Sequence, residues 1–299
     1  MQIPVILNPG AGRIAKEGDA AIAEQIKSGF HSVNHDVSLH KINGQELEPQ
    51  LQSLMREQPE LIIAAGGDGT ISSIANHISD TSIALGIIPL GTLNHFAKDL
   101  GIPLDIPSAI HVIQEKNSDL VDLGTVNGRV FINNCSIGMY PQAVRERENF
   151  QQEFGSGKII AMGIATAGIF QRFPLFKVVV KIDDTINWYK IPFLFVGNNI
   201  YETNLLNLGQ RKSLNDGILS LYHPNTSQKF SLFRFASLAV IDRLRQVKDF
   251  RITHAEQFEL QFDRSEIEVA LDGEITQLRS PLRYETHPQA LKIILPKDN

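Results

Sequence analysis

The chain has 299 residues, 42% hydrophobic, 20% charged and 7% aromatic, which is the make-up of a soluble globular protein with length for one large domain or two ordinary ones. Twenty-eight basic against thirty-three acidic residues leave a net charge of −5, which speaks against general nucleic-acid binding. One cysteine, Cys135, excludes an intramolecular disulfide framework and a cysteine-based zinc cluster.

In chain order, short apolar runs alternate with amphipathic stretches. Ile3 to Leu7 is followed by Asp19 to Ser28, Asp36 to Ile42 by Glu46 to Glu57, Leu61 to Ala65 by Ile71 to His77, and Ile83 to Ile88 by Leu93 to Leu100. Strand and helix at this spacing predict βαβ units in a mainly parallel sheet, whose ligands bind at the carboxyl ends of the strands. After about Asp122 the rhythm changes. Leu123 to Val126 and Val130 to Asn133 flank Asn127-Gly128, a hairpin dipeptide, and a second hairpin is expected between Lys177 to Ile182 and Asn187 to Val196. Strand-like runs follow at Ile218 to Tyr222, Phe258 to Phe262, Glu266 to Leu271 and Leu291 to Leu295, with helical patterns near Gly157 to Phe170 and Leu232 to Gln246. The fold expected is therefore α/β followed by mostly antiparallel β, with domains of 1–122 and 123–285.

Met1 to Pro9 carries no basic n-region, so no signal peptide is expected. The longest apolar stretches, Ile159 to Phe170 and Ile191 to Val196, fall short of the roughly 18 to 20 residues of a spanning helix. The expected location is cytoplasmic, with any membrane contact peripheral at the inner face.

Three glycine-rich passages stand at strand ends in the first half. Asn8-Pro9-Gly10-Ala11-Gly12-Arg13 follows the first strand, and Gly10 to Ala15 formally satisfies the G-x-G-x-x-A dinucleotide fingerprint. No clear acidic residue closes a second strand about 20 residues on, which weighs against a nicotinamide site. Gly66-Gly67-Asp68-Gly69-Thr70 follows the Leu61 to Ala65 run. Its glycines let backbone N–H groups converge on a polyphosphate, and the next helix adds a partial positive charge. Asp68 there suits Mg²⁺ or a hydroxyl proton; otherwise it caps the following helix. The third passage, Pro89-Leu90-Gly91-Thr92-Leu93-Asn94-His95-Phe96, offers Thr92 and Asn94 as donors to phosphate or ribose, or as helix caps. Gly155-Ser156-Gly157-Lys158 is not a Walker A loop, because Gln152 and Ile159 occupy positions the motif needs for Gly and for Ser or Thr.

Together these passages and a late Asp272-Gly273-Glu274 resemble the diacylglycerol kinase catalytic-domain family, in the same order along nearly the whole chain. The glycine-aspartate turn alone is shared with NAD kinases and phosphofructokinases. The resemblance implies an NAD-kinase-like α/β domain that holds ATP and a β-sandwich domain for a lipid substrate, with a C-terminal segment of about 286–299 returning to the first domain. It places nucleotide against Asn8, Pro9, Gly10, Ala11 and Gly12, against Gly66 to Ser72 (including Asp68, Gly69, Thr70 and Ile71), and near Thr92 and Asn94. Two positions depart from the family. The stretch His40-Lys41-Ile42-Asn43 lacks a nucleotide-contacting threonine, and His95 stands where many members carry Asp.

Asp272-Gly273-Glu274 follows the alternating strand Glu266 to Leu271, so it falls on a turn where a carboxylate can accept the proton of a lipid hydroxyl; taken alone it reads as a hairpin turn. The resemblance assigns the base to this motif, with Glu274 preferred and Asp272 supporting, although the residues do not order the two. It also implies a structural Mg²⁺ at Asp216 and main-chain oxygens near Ser213 and Ile218. The expected reaction is phosphoryl transfer from MgATP to a lipid hydroxyl, most simply diacylglycerol to phosphatidic acid. Arg13 and Lys16 are candidate positive charges. The lipid is expected from a membrane surface, with the basic amphipathic stretch Phe230 to Arg245 as one candidate contact and a homodimer left open. The alternatives are an NAD kinase, a sugar-phosphate kinase, or a non-catalytic lipid- or nucleotide-binding protein.

Overall fold

The computed structural model describes residues 2–32, 35–42, 46–138, 175–201, 211, 213–224 and 250–297. The helical patterns at Gly157 to Phe170 and Leu232 to Gln246, the Gly155 to Lys158 loop and the basic stretch Phe230 to Arg245 lie outside the described residues. The chain divides into two units, Met1–Leu123 with His287–Asn299, and Gly124–Thr286.

The first unit runs β1 (Ile3–Leu7), α1 (Ile14–Glu17), α2 (Asp19–His31), β2 (Val37–Lys41), α3 (Leu47–Arg56), β3 (Leu61–Gly66), α4 (Asp68–Ile78), β4 (Ala84–Pro89), α5 (His95–Asp99), α6 (Ile106–Glu115) and into β5 (Ser118–Val126). The second continues through β6 (Arg129–Phe131), β7 (Asn134–Gly138), β8 (Phe176–Ile182), β9 (Thr185–Ile191), β10 (Phe193–Asn198), β11 (Leu219–Pro224), β12 (Phe250–Ala255), β13 (Gln257–Phe262), β14 (Glu266–Leu271), β15 (Glu274–Arg279) and β16 (Leu282–Ile294). The last half of β16 belongs to the first unit.

In the first unit β2, β1, β3 and β4 pair in that order, all parallel. Both faces of such a sheet are covered, and accordingly every residue of β4 and all of β3 after Leu61 are buried. Ile22, Ile26 and Phe30 of α2 close over the sheet together with Ile106, Ile110 and Ile113 of α6. The end of β16 lies parallel to β4 through Ile293 and Leu85. It is tied down where Asp122 Oδ1 accepts the Gln289 N–H at 2.9 Å and the Leu295 N–H reaches the Asn117 carbonyl at 2.8 Å.

Helix α6 is absent from the elements read from sequence, and it contains Pro107. The proline falls in the first turn, where its missing N–H costs nothing, and Asp105 caps that turn by accepting the Ser108 N–H at 2.9 Å. The Ser108 hydrogen bonds hold the Asp105 carboxyl below its ordinary value.

The second unit contains an antiparallel sheet in the order β12, β11, β10, β7, β14, β15 and a second antiparallel set in which β13 pairs with the start of β16 and with β8, and β8 with β9. Inward residues of both sheets, among them Ile137, Val196, Leu221 and Val269 from one and Val178, Val180, Leu260 and Tyr284 from the other, form a single core. Tyr284 stacks on Phe258 with centroids 4.9 Å apart, and its hydroxyl lies 3.2 Å from the Cys135 sulfur. The Asn127-Gly128 hairpin forms as expected, with φ of 47° and 78°. The expected strand from Asn187 to Val196 is instead two strands. Pro192 has no N–H for a ladder, and the chain breaks there, with β9 entering one sheet and β10 the other. Strands β7, β12 and β15 are further elements beyond those read from the sequence. No helix among the described residues is long and apolar enough to cross a membrane.

Candidate functional site

Strands β1, β3 and β4 are neighbours in the sheet, so the three glycine-rich turns that follow them stand side by side at its carboxyl edge. The order β2-β1-β3 also places a reversal of strand order there, the position where open α/β sheets bind ligands.

The turns are stitched to one another. Asn8 Nδ2 donates to Thr70 Oγ1 at 2.8 Å, while Asn8 Oδ1 accepts the Gly10 N–H at 2.9 Å. The Leu90 N–H reaches the Gly66 carbonyl at 2.8 Å, and the Arg13 N–H the Leu90 carbonyl at 3.0 Å. Gly91 packs on Gly67 so closely that a Cβ at 91 would lie 2.6 Å from the Gly67 Cα and 2.7 Å from Asn94 Oδ1, too near for any side chain. A Cβ on Gly12 would meet Thr92 Oγ1 at 2.6 Å.

Asp68 is half-buried at the first position of α4. Its carboxylate accepts the main-chain N–H groups of His95 at 3.1 Å and Phe96 at 3.0 Å, one on each oxygen. The capping role read from sequence is therefore real but addresses α5, 27 residues on, rather than the helix Asp68 begins. Each oxygen keeps a second lone pair. The N-cap of α4, Gly67, has no side chain to cap the helix, so the N-terminus faces this edge with its partial positive charge.

Several expected contacts are corrected by the geometry. Asn94 is buried at φ 50°, and its amide clamps Gly91, accepting that N–H and donating to that carbonyl, both at 2.9 Å. It shapes the turn rather than presenting a donor to ligand. Ala11 and Ile71 point into the core, and the Ile71 N–H is spent on the Gly67 carbonyl. Arg13 pairs with Glu17 at 2.8 Å and reaches the Leu104 carbonyl at 3.3 Å. Thr92 and His95 are exposed. At the end of β2, Lys41 pairs with Asp19 at 2.7 Å, which lowers the Asp19 carboxyl.

In the second unit Asp272 (φ 48°) and Gly273 (φ 90°) form the two-residue turn between β14 and β15, with Leu271 opposite Glu274. The Asp272 carboxylate accepts three consecutive main-chain N–H groups, from Ile132 at 2.8 Å, Asn133 at 2.7 Å and Asn134 at 3.0 Å. The supporting carboxylate is thus a structural anchor, tied to three consecutive main-chain donors. Glu274 keeps solvent access, yet burial of its carboxyl on the protein side, followed by the Asp272 charge, raises it above its ordinary value. A carboxylate with raised proton affinity is the better general base. The two carboxylates thus stand in different surroundings, Asp272 under three main-chain donors and Glu274 open to solvent.

Sequence reading missed what holds the 132–134 segment. Arg211, only 6% exposed, donates to the Ile132 carbonyl at 2.7 Å and to Asn133 Oδ1 at 2.8 Å, and its guanidinium stands 5.5 Å from the Tyr201 ring centroid. Buried Asn198 donates to the Ile132 carbonyl at 3.1 Å. The only sequence signal was the pairing of two asparagine doublets, Asn133-Asn134 and Asn198-Asn199, at strand ends.

The loop expected to hold a structural Mg²⁺ adjoins this network. Asn199 Oδ1 accepts the Asp216 N–H at 3.1 Å, the Asn199 N–H donates to the Ile218 carbonyl at 3.0 Å, and Ser213 Oγ donates to Asn215 Oδ1 at 2.8 Å. Asp216 is exposed. A carboxylate and main-chain carbonyls are oxygen donors of the kind a hard cation accepts, and the Ser213 hydroxyl is engaged with Asn215. No group of three or more His, Cys, Asp or Glu suited to a metal occurs among the described residues.

Residues 2–126, which carry all three stitched turns, match the model of the diacylglycerol kinase catalytic domain. Diacylglycerol kinases of Staphylococcus aureus strains JH9 and Newman are each 36% identical over 146 residues, 48% of this chain and 45% of theirs, so the chain spans under half the length of the curated relatives it matches. A solved structure of a diacylglycerol kinase from Bacillus anthracis str. Sterne is similar over 99% of this chain and 97% of that one, at TM-score 0.70 and 23% identity. A proposed diacylglycerol kinase from the same strain has TM-score 0.76 at 23% identity, covering 99% and 95%. These two share the fold throughout the chain. Over residues 2–126 the chain is similar to the diacylglycerol kinase catalytic domain.

Proposed function

We propose that the protein is a lipid kinase that transfers the γ-phosphoryl group of ATP to a lipid hydroxyl, diacylglycerol giving phosphatidic acid. The observation that carries this reading is the set of three mutually hydrogen-bonded turns at the ends of β1, β3 and β4, within the segment matched to the diacylglycerol kinase catalytic domain.

In this reading Asn8, Pro9, Gly10 and Gly12, the turn from Gly66 to Thr70 and Ser72 hold the nucleotide phosphates, with Thr92 beside them. Asp68, oriented by its two bonds to α5, directs metal or acceptor. The lipid oxygen bonds to the γ-phosphorus as the bond from that phosphorus to the β–γ bridging oxygen breaks. ADP leaves, and the hydroxyl proton passes to Glu274, which Asp272 holds at its turn. Mg²⁺, when bound, supplies charge neutralisation at the phosphates. Asp216 and main-chain oxygens near Ser213 and Ile218 would hold a second, structural Mg²⁺.

Purified protein incubated with labelled ATP, Mg²⁺ and mixed micelles of diacylglycerol, monoacylglycerol, sphingosine, phosphatidylglycerol or a prenol tests the reading. Label is expected in phosphatidic acid. Label in NAD, or in no lipid, overturns it.

A further inference from the structure

The β8–β9 hairpin presents an outer face whose composition the site does not explain. Its inner face, Val178, Val180 and Ile191, belongs to the core of the second unit. The cross-strand register puts Lys177 opposite Lys190, Val179 opposite Trp188 and Lys181 opposite Ile186, so these six share the outer face. Trp188 is 76% exposed and Ile186 66%, the two most exposed large apolar side chains among the described residues. Burying neither in a sheet otherwise rich in core contacts is unfavourable for an isolated protein.

Charge narrows the occupant. In a chain of net charge −5, this face carries three lysines on two adjacent strands. The ion pairs recorded there are those of Glu259, with Lys181 at 2.8 Å and Arg283 at 3.3 Å. Lys177 and Lys190 stand opposite each other at the other end of the two strands, at the mouth of a cavity also lined by Asp263, Arg264, Glu266 and Glu268. Area narrows it further. Trp188 and Ile186 together expose on the order of 300 Å², against the ~800 Å² per partner of a standard protein interface. An amphipathic indole beside lysines is instead the composition that settles at the headgroup level of a bilayer.

We propose that the outer face of the β8–β9 hairpin docks the second unit on an anionic bilayer surface, Trp188 and Ile186 among the headgroups and Lys177 and Lys190 against lipid phosphates. The inference extends the proposed lipid kinase reading by naming the surface that meets the membrane, and it is tested without turnover.

Trp188 is the single tryptophan of the chain, so intrinsic emission reports this face alone. The full chain is mixed with vesicles of phosphatidylglycerol and phosphatidylcholine, or of phosphatidylcholine only, without ATP or diacylglycerol. Emission is expected to shift to the blue on the anionic vesicles alone, to be quenched by brominated acyl chains, and to revert in high salt. Lys177→Gln with Lys190→Gln should weaken binding by on the order of tenfold or more, and Trp188→Ala, followed by sedimentation, by about tenfold. Phosphorylation of a soluble short-chain diacylglycerol should be unchanged in all of them, which separates failure of docking from failure of the kinase reading. Sedimentation with vesicles while emission stays unshifted, absence of binding, or a blue shift that grows with protein concentration in the absence of lipid each overturns the proposal, the last in favour of a second copy of the chain.

Discussion

Replacing Asp272 with alanine removes three main-chain hydrogen bonds at once, and the structure allows the cost to be worked out. The donors are the N–H groups of Ile132, Asn133 and Asn134, at 2.8, 2.7 and 3.0 Å. Ile132 and Asn133 are 0% and 5% exposed, so in the variant their N–H groups are left dry, at ~1–3 kcal/mol each, whereas Asn134 is half-buried and water partly replaces its partner. Alanine at a position with φ of 48° adds ~1 kcal/mol of backbone strain that Asp tolerates better. Some of this is recovered as the turn relaxes, leaving an expected loss of about 3–5 kcal/mol. That is a large share of the ~5–15 kcal/mol typical of a domain. Asp272→Asn keeps one acceptor and the tolerance for positive φ, and should lose about half as much. Urea unfolding followed by Trp188 emission, which lies in the same unit, measures both. A loss below ~1 kcal/mol for the alanine variant would refute the anchoring role and return Asp272 to the pool of candidate bases.

Glu274→Gln should leave stability at neutral pH unchanged or slightly raised, while turnover falls by orders of magnitude. The sign follows from its raised carboxyl. The folded protein favours the protonated acid, so the wild-type disadvantage grows as pH rises from the ordinary value of 4.5 through the raised one and is absent below. Turnover in the wild type should rise with pH over the same limb, and an acid limb unchanged in Glu274→Gln would remove Glu274 from the mechanism. Gly91→Ala should cost ~1–3 kcal/mol, since its Cβ would meet the Gly67 backbone at 2.6 Å, and nucleotide affinity should fall with it; native stability by calorimetry would contradict the packing described. Cys135 is buried, which pushes its thiol up to about 12, so a thiol reagent at pH 8 should label it only as the second unit opens. Labelling of the folded protein at the rate of a free thiol would contradict that burial, and faster labelling is expected of Asp272→Ala.

Legibility differed by how local each determinant is. The β1, β3 and β4 runs were readable because parallel strands buried on both faces are continuous apolar segments, and Asn127-Gly128 because a two-residue hairpin turn demands residues that accept positive φ. Helix α6 was not read, and it contains Pro107, whose effect depends on a position within the first turn that only the cap at Asp105 discloses. The break at Pro192 was missed because apolar alternation continues across it while the hydrogen-bonding partner changes. At the candidate sites, residue types were visible but their partners were not. Nothing near Asp272 in the sequence announces that its acceptors face residues 132–134, some 140 positions earlier, or that Arg211 holds that segment from behind.

The three glycine turns carry the same lesson into function. In sequence the second of them reads as a phosphate cradle, in which glycine is needed so that a ligand can approach the backbone, and the family resemblance extends nucleotide contact to the other two. In the fold, what approaches Gly91 is the backbone of Gly67, what approaches Gly12 is Thr92, and what fills the space over Gly66 is Thr70, itself bound by Asn8. Asp68 then joins the second turn to the third through α5. The motif residues are therefore first the parts that assemble the edge of the sheet, and the nucleotide-binding capacity assigned to them depends on that assembly. It follows that substitutions at Asn8, Gly91 or Asn94 should lower stability and nucleotide affinity together, whereas Thr92, exposed at the same edge and close to Gly12, is the position at which affinity can change alone.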